Sequence, residues 1–169
     1  MSKRIAVIGL GNSLRRDDGI GVTILESLLN NYKRAGIDYF NFGIASFDLI
    51  HRLGNYDAAL LIDGIASGLA AGELKIFSLD EASFVKEELA VSSHELNLKD
   101  IFRLTRDLGI KAKIYVAGIQ VQDVGFGESL SKPLKESLEK TTEQINEFIG
   151  TVLKSKENCP HTGDTSALS

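Results

Sequence analysis

The chain has 169 residues, 43% hydrophobic and 25% charged, with a net charge of -4, a length and balance that fit one globular domain with its own core. Acidic and basic residues alternate rather than cluster, which leaves no basic stripe for nucleic acid. The single cysteine, Cys159, excludes an internal disulfide and fits a reducing compartment, the cytoplasm. The apolar start from Ile5 to Leu10 is too short to span a bilayer and ends in Gly-Leu-Gly-Asn rather than a cleavage site, so no membrane association is expected.

In chain order, Ile5 to Ile8 is an apolar run ending in glycine, the pattern of a strand buried on both faces. Asp17 and Asp18 precede Ile24, Leu25, Leu28, Leu29 and Tyr32, one face of an amphipathic helix closed near Gly36. Tyr39 to Phe42 reads as a second strand, and Phe47, Leu49, Ile50 and Leu53 as a short helix ending at Gly54. Ala58 to Ile62 is the clearest buried strand, with Asp63 at its carboxyl end. A glycine-containing link without a helix leads to a strand over 74–79, so one strand is expected to run antiparallel. Ser92-Ser93 followed by Glu95 predicts a capping box for a helix through Leu96, Leu98, Ile101, Phe102, Leu104 and Leu108. Ile114 to Ala117 is another buried strand, and Pro133 opens a long last helix through Val152. Residues 1–153 are thus read as one α/β domain and 154–169 as a polar, disordered tail.

Ligands of open α/β sheets bind beyond the carboxyl ends of parallel strands. The polar segments expected there are Gly9 to Asp18, the loop after Phe42, Asp63-Gly64 and Gly118-Ile119-Gln120, with Ser92 to His94 leading into a helix that packs on the sheet. Asp18, Asp63 and His94 together make a mixed oxygen and nitrogen ligand set for a divalent transition metal. His94, placed near a helix N-terminus, should stay neutral and able to coordinate. Each residue equally has an ordinary reading: Asp17 or Asp18 as a helix cap, Asp63 as a turn residue, His94 as a helix-start residue. His51 belongs to an amphipathic helix, and His161 lies with Cys159 in the tail. Gly9-Leu10-Gly11-Asn12-Ser13-Leu14 evokes a dinucleotide fingerprint, but Leu14 replaces the third glycine and two aspartates would repel a pyrophosphate. A cation is the more natural guest.

The run Gly9-Leu10-Gly11-Asn12-Ser13-Leu14-Arg15-Arg16-Asp17-Asp18-Gly19-Ile20-Gly21 resembles the opening motif of hydrogenase maturation proteases. The strand ending in Asp63, Ser92 to His94, and Gly118-Ile119-Gln120 with Gly127 and Leu130-Ser131 recur in that family's order, so the resemblance spans roughly residues 3 to 150. It implies a three-layer αβα sandwich around a five-stranded, mostly parallel mixed sheet of the phosphorylase/hydrolase-like type. It also implies an endopeptidase that removes the C-terminal extension of a nickel-containing hydrogenase large subunit after nickel insertion. The implied partner is the large-subunit precursor, met by a monomeric protease. The implied nickel belongs to that substrate rather than to the protease, with Asp18, Asp63 and His94 as its ligands and catalytic group. Asp17 is a further candidate base, and Gly11, Asn12, Asn41, Gly43, Gly118 and Gln120 are candidates for substrate recognition.

The chain departs from the family where Asn41 replaces the usual aspartate after the second strand, where Val121 replaces a proline, and where Lys132 separates Ser131 from Pro133. Asn41 cannot carry charge or act as a base. Two other readings share these residues. A peptidyl-tRNA hydrolase-like esterase has the same Gly-Leu-Gly-Asn start but expects Pro-Gly next and a basic groove. A nickel-binding chaperone would use the same trio without chemistry.

Overall fold

The computed structural model describes residues 3–79 and 96–154. Five strands form one sheet in the order β2-β1-β3-β5-β4. The strands are β1 (Ile5–Leu10), β2 (Ile37–Gly43), β3 (Ala58–Ile65), β4 (Leu74–Ser78) and β5 (Lys113–Gln120). The helices are α1 (Ile20–Asn31), α2 (Phe47–Leu53), α3 (Leu98–Asp107) and α4 (Lys132–Lys154). A short 3-10 turn, Arg16–Gly19, leads into α1.

β1, β2, β3 and β5 run parallel and β4 antiparallel. The central strands β1 and β3 are buried along their whole length, as the continuous apolar runs require when helices cover both faces. Alternation along the strands sorts the side chains into two cores. Val7, Leu60, Ile62, Ala117 and Ile119 meet α1 and α4 through Ile24, Leu28, Ile145 and Ile149. Ala6, Ile8, Leu61, Ile65, Ile114 and Val116 meet α2 and α3 through Leu49, Leu53, Leu98 and Ile101. The result is the three-layer sandwich expected around a mixed five-stranded sheet.

Several local expectations are corrected. β4 is antiparallel as expected, but it pairs with β5 rather than β3; the link from β3 is long enough to step across β5 to the sheet edge. β1 continues through Gly9 to Leu10, and β3 through Asp63 to Ile65, so Asp63 lies inside its strand, opposite Gly118. The helix α3 has its capping box at Asn97 and Asp100, whereas Ser92, Ser93 and Glu95, where one was expected, lie outside the described residues. The Asn97 side chain accepts from Asp100 N at 2.9 Å and the Asp100 carboxylate accepts from Asn97 N at 3.3 Å, so α3 begins at Leu98. The last helix opens one residue before Pro133, at Lys132. The expected tail falls almost wholly outside the described residues.

Candidate active site

The loops at the carboxyl ends of β1, β2, β3 and β5 make one connected surface. Gly11, at φ 127, turns the chain back so tightly that a Cβ there would run into the Asp18 carbonyl. Its N–H donates to the Gly43 carbonyl at 2.7 Å, which ties the loop after β1 to the loop after β2. Gly21 is wedged between the Leu10 and Ile62 carbonyls, with no space for a Cβ, so α1 starts directly against β1 and β3. Gly64 lies against the Asp17 carbonyl and Ile20. These contacts bring residues 17–21 and 62–64 together, and with them Asp18 and Asp63.

Both aspartates are almost completely buried, Asp18 at 3% and Asp63 at 1% exposure. Burying a carboxylate is costly unless something compensates its charge, and here two are buried on abutting segments. The Asp18 carboxylate accepts from Asn12 N at 3.1 Å. Neither Asp17 nor Asp18 caps α1, whose N-cap is Gly19 without a side-chain bond, so the capping alternative does not hold.

Asp17 has a different surrounding from its neighbour. Three donors reach its Oδ2, namely Gln122 N at 2.9 Å, Asp123 N at 2.9 Å and Ser131 Oγ at 2.8 Å. Ser131 N reaches its Oδ1 at 2.6 Å. Burial pushes this carboxyl up, but the bonds from Ser131, Asp123 and Gln122 outweigh it and hold the carboxyl below its ordinary value. A carboxylate so committed is a poor proton acceptor, which argues against the expectation that Asp17 is a base.

The third member of the trio, His94, lies outside the described residues, as do Ser92 and Ser93. Among the described residues no group of three or more His, Cys, Asp or Glu side chains could hold a metal; His51 is exposed in the last turn of α2.

The other expected site residues divide. Gly118 packs against Ile65, which leaves no space for a larger residue beside Asp63. Asn12 closes its own turn, accepting from Leu14 N at 3.0 Å. Asn41 is exposed and accepts from Gly43 N at 2.9 Å. An aspartate could accept the same bond, so the departure changes rim charge rather than the turn. Gln120 is nearly buried; its carbonyl oxygen accepts from Ser67 N at 2.8 Å and its amide donates to Val121 O at 3.0 Å. That geometry makes it a brace for the loop after β3.

A family model described as hydrogenase maturation protease matches residues 22–148, well over half of the chain. The chain belongs to the hydrogenase maturation protease family. It is therefore a peptidase, and the esterase and chaperone alternatives lose their support. The match begins just after the Gly9 to Gly21 motif, but relatives extend across more of the chain. It is 28% identical over 148 residues to the hydrogenase expression/formation protein HoxM of Azotobacter vinelandii, covering 86% of this chain and 72% of that protein. It is 27% identical over 144 residues to the hydrogenase 2 maturation protease of Escherichia coli, covering 84% and 88%. The fold is similar to that of the hydrogenase maturating endopeptidase HybD from Escherichia coli. That match has a TM-score of 0.76 and 26% identity, covering 91% of this chain and 94% of that one. The [NiFe] hydrogenase maturation protease HycI of Thermococcus kodakarensis aligns with TM-score 0.68 and 28% identity, over 88% and 93%. No helix among the described residues is long and apolar enough to cross a membrane.

Proposed function

We propose that this protease trims the C-terminal extension of a nickel hydrogenase large-subunit precursor, in the cytoplasm, and recognises the precursor through nickel already inserted in it. The observation that favours this reading is the burial of two carboxylates on touching segments, Asp63 near the carboxyl end of β3 and Asp18 in the turn that leads into α1. Carboxylate oxygens joined by the His94 imidazole form a set suited to a borderline divalent metal. Docking the precursor's nickel on these groups would convert cleavage into an effectively intramolecular step, with the scissile bond held against the cleft. A metal-polarised carbonyl or an activated water then lowers the barrier. Because Asp17 is committed to the neighbouring loop, the proton acceptor is sought in Asp18 instead.

Cleavage of a nickel-loaded precursor by Asp18→Asn, Asp63→Asn and His94→Ala variants tests the reading. Each is expected to lower kcat/KM by about a hundredfold or more, the range typical of a lost acid, base or ligand, with the far-ultraviolet circular dichroism of the wild type. Wild-type activity in all three would overturn it.

A further inference from the structure

The segment 121–131 joins β5 to α4 without regular structure, yet it is heavily fastened. Both of its ends converge on one buried anion: Gln122 and Asp123 at the start and Ser131 at the finish all donate to the Asp17 carboxylate. Its middle is tied to the residues just before Asp17. Gly127 N donates to Leu14 O at 2.9 Å and Arg16 N to Gly127 O at 2.8 Å. The Arg15 and Arg16 Nε atoms donate to the Val124 and Phe126 carbonyls, each at 3.2 Å.

A loop fastened this closely loses conformational entropy that only a compensating network can offset. The network's centre is a charge-assisted cluster on a single side chain, next in sequence to Asp18. The loop's tip nevertheless presents an aromatic ring to solvent. Phe126 is 86% exposed, with the Arg15 guanidinium 5.7 Å from its ring and Leu14, also exposed, on the adjoining strand of backbone. A large apolar side chain held outward by an ordered loop is suited to gripping a partner rather than to stabilising the monomer.

We propose that Asp17 is a positioning residue: it fixes the 121–131 loop beside Asp18 so that Phe126 forms a wall against which the precursor polypeptide binds. This rests on the reading of Asp18 and Asp63 as the cleavage site. Asp17 touches no reacting atom; it acts through the three backbone N–H groups and one hydroxyl it collects.

The test uses the full-length protein and nickel-loaded precursor, with steady-state kinetics and amide hydrogen exchange. Asp17→Asn turns an acceptor into a donor facing other donors. It is expected to speed exchange at Gln122, Asp123 and Ser131 at least about tenfold while Leu60 and Val116 on the central strands keep their protection. KM should rise by about tenfold or more, with kcat within about threefold of wild type. Phe126→Ala should raise KM by about tenfold with exchange unchanged. Ser131→Ala, which leaves the carboxylate and removes one donor, should raise KM by about threefold, and it serves if Asp17→Asn does not fold. An unchanged KM in Phe126→Ala and Ser131→Ala would overturn the proposal, as would a folded Asp17→Asn whose kcat falls while its KM is unchanged. If instead the Asp18 and Asp63 variants cleave normally, the reading of the site fails, whatever the loop variants do.

Discussion

The two ends of the sheet are built in different ways. At the amino end, short links join neighbouring strands: Arg4 N donates to the Asp57 carboxylate at 2.7 Å, Lys113 N to Asp57 O at 2.9 Å, and the Tyr56 hydroxyl to Asp38 at 2.7 Å, with Arg4 lying over the Tyr56 ring. Apart from Tyr56, which is buried, the polar groups there face solvent and the chain closes on itself. At the carboxyl end, carboxylates are buried, backbones meet without room for a Cβ, and Leu14, Ile44, Phe47 and Phe126 are left exposed. One end spends its polar groups on finishing the fold and leaves Leu108 exposed, whereas the other keeps charge inside and several large apolar side chains outside. That inversion is what a site for a large partner looks like.

The sharpest way to break the contrast is at Gly21. An alanine there would push against the Leu10 and Ile62 carbonyls, both backbone, so α1 must shift from β1 and β3. A loss of about 3 kcal/mol or more is expected, with precursor cleavage falling beyond the loss of folded protein because Asp18 moves with α1. Urea denaturation alongside kinetics measures both. Wild-type stability would mean that the close approach is not a constraint.

At the amino end the expected effect is smaller and of one kind. Tyr56→Phe removes the hydroxyl bond to Asp38 and should cost about 1 kcal/mol, leaving kcat and KM unchanged. A change in KM there would remove the division of labour between the two ends.

How far the sequence discloses this arrangement depends on the range of the interactions. The apolar run 58–62 identifies β3, because a strand covered on both faces needs every residue apolar. Strand-end logic brings Asp18 and Asp63 to the same end of the sheet, although β3 runs two residues past Asp63. The cap of α3 at Asn97 and Asp100 is not singled out locally, because Ser92-Ser93 with Glu95 offers a similar pattern in the sequence; packing of Leu98 and Ile101 in the core fixes where the helix lies. For Asp17 the sequence offers a cap or a base, but not the anchor of a loop. Its partners lie more than a hundred residues away, and nothing in an Asp-Asp pair says which member turns to a distant loop. Gln120 is a similar case: expected at the substrate, it has its carbonyl oxygen bonded to Ser67.

The smallest effects separate the two ends by pH. Asp17 is held below its ordinary carboxylate value, against the opposing pull of burial, by the donors around it. A group with a depressed folded pKa adds stability that is complete above its unfolded pKa, near ~3.9, and is lost as pH falls through the folded value. The stability difference between wild type and Asp17→Asn should therefore be flat near neutrality and shrink in acid. Tyr56 shifts the other way. Burial first, then the bond to Asp38 and its negative charge, push its hydroxyl up, with Arg4 partly opposing. Its contribution is complete below the unfolded pKa near ~10 and is lost as pH rises through the folded value, so the difference between wild type and Tyr56→Phe should hold to alkaline pH and then fall. Urea midpoints of the three proteins across both limits check the pair. An acid limb that leaves the Asp17→Asn difference flat would mean the carboxylate is not held by its four donors, and the fastening of the 121–131 loop would need another anchor.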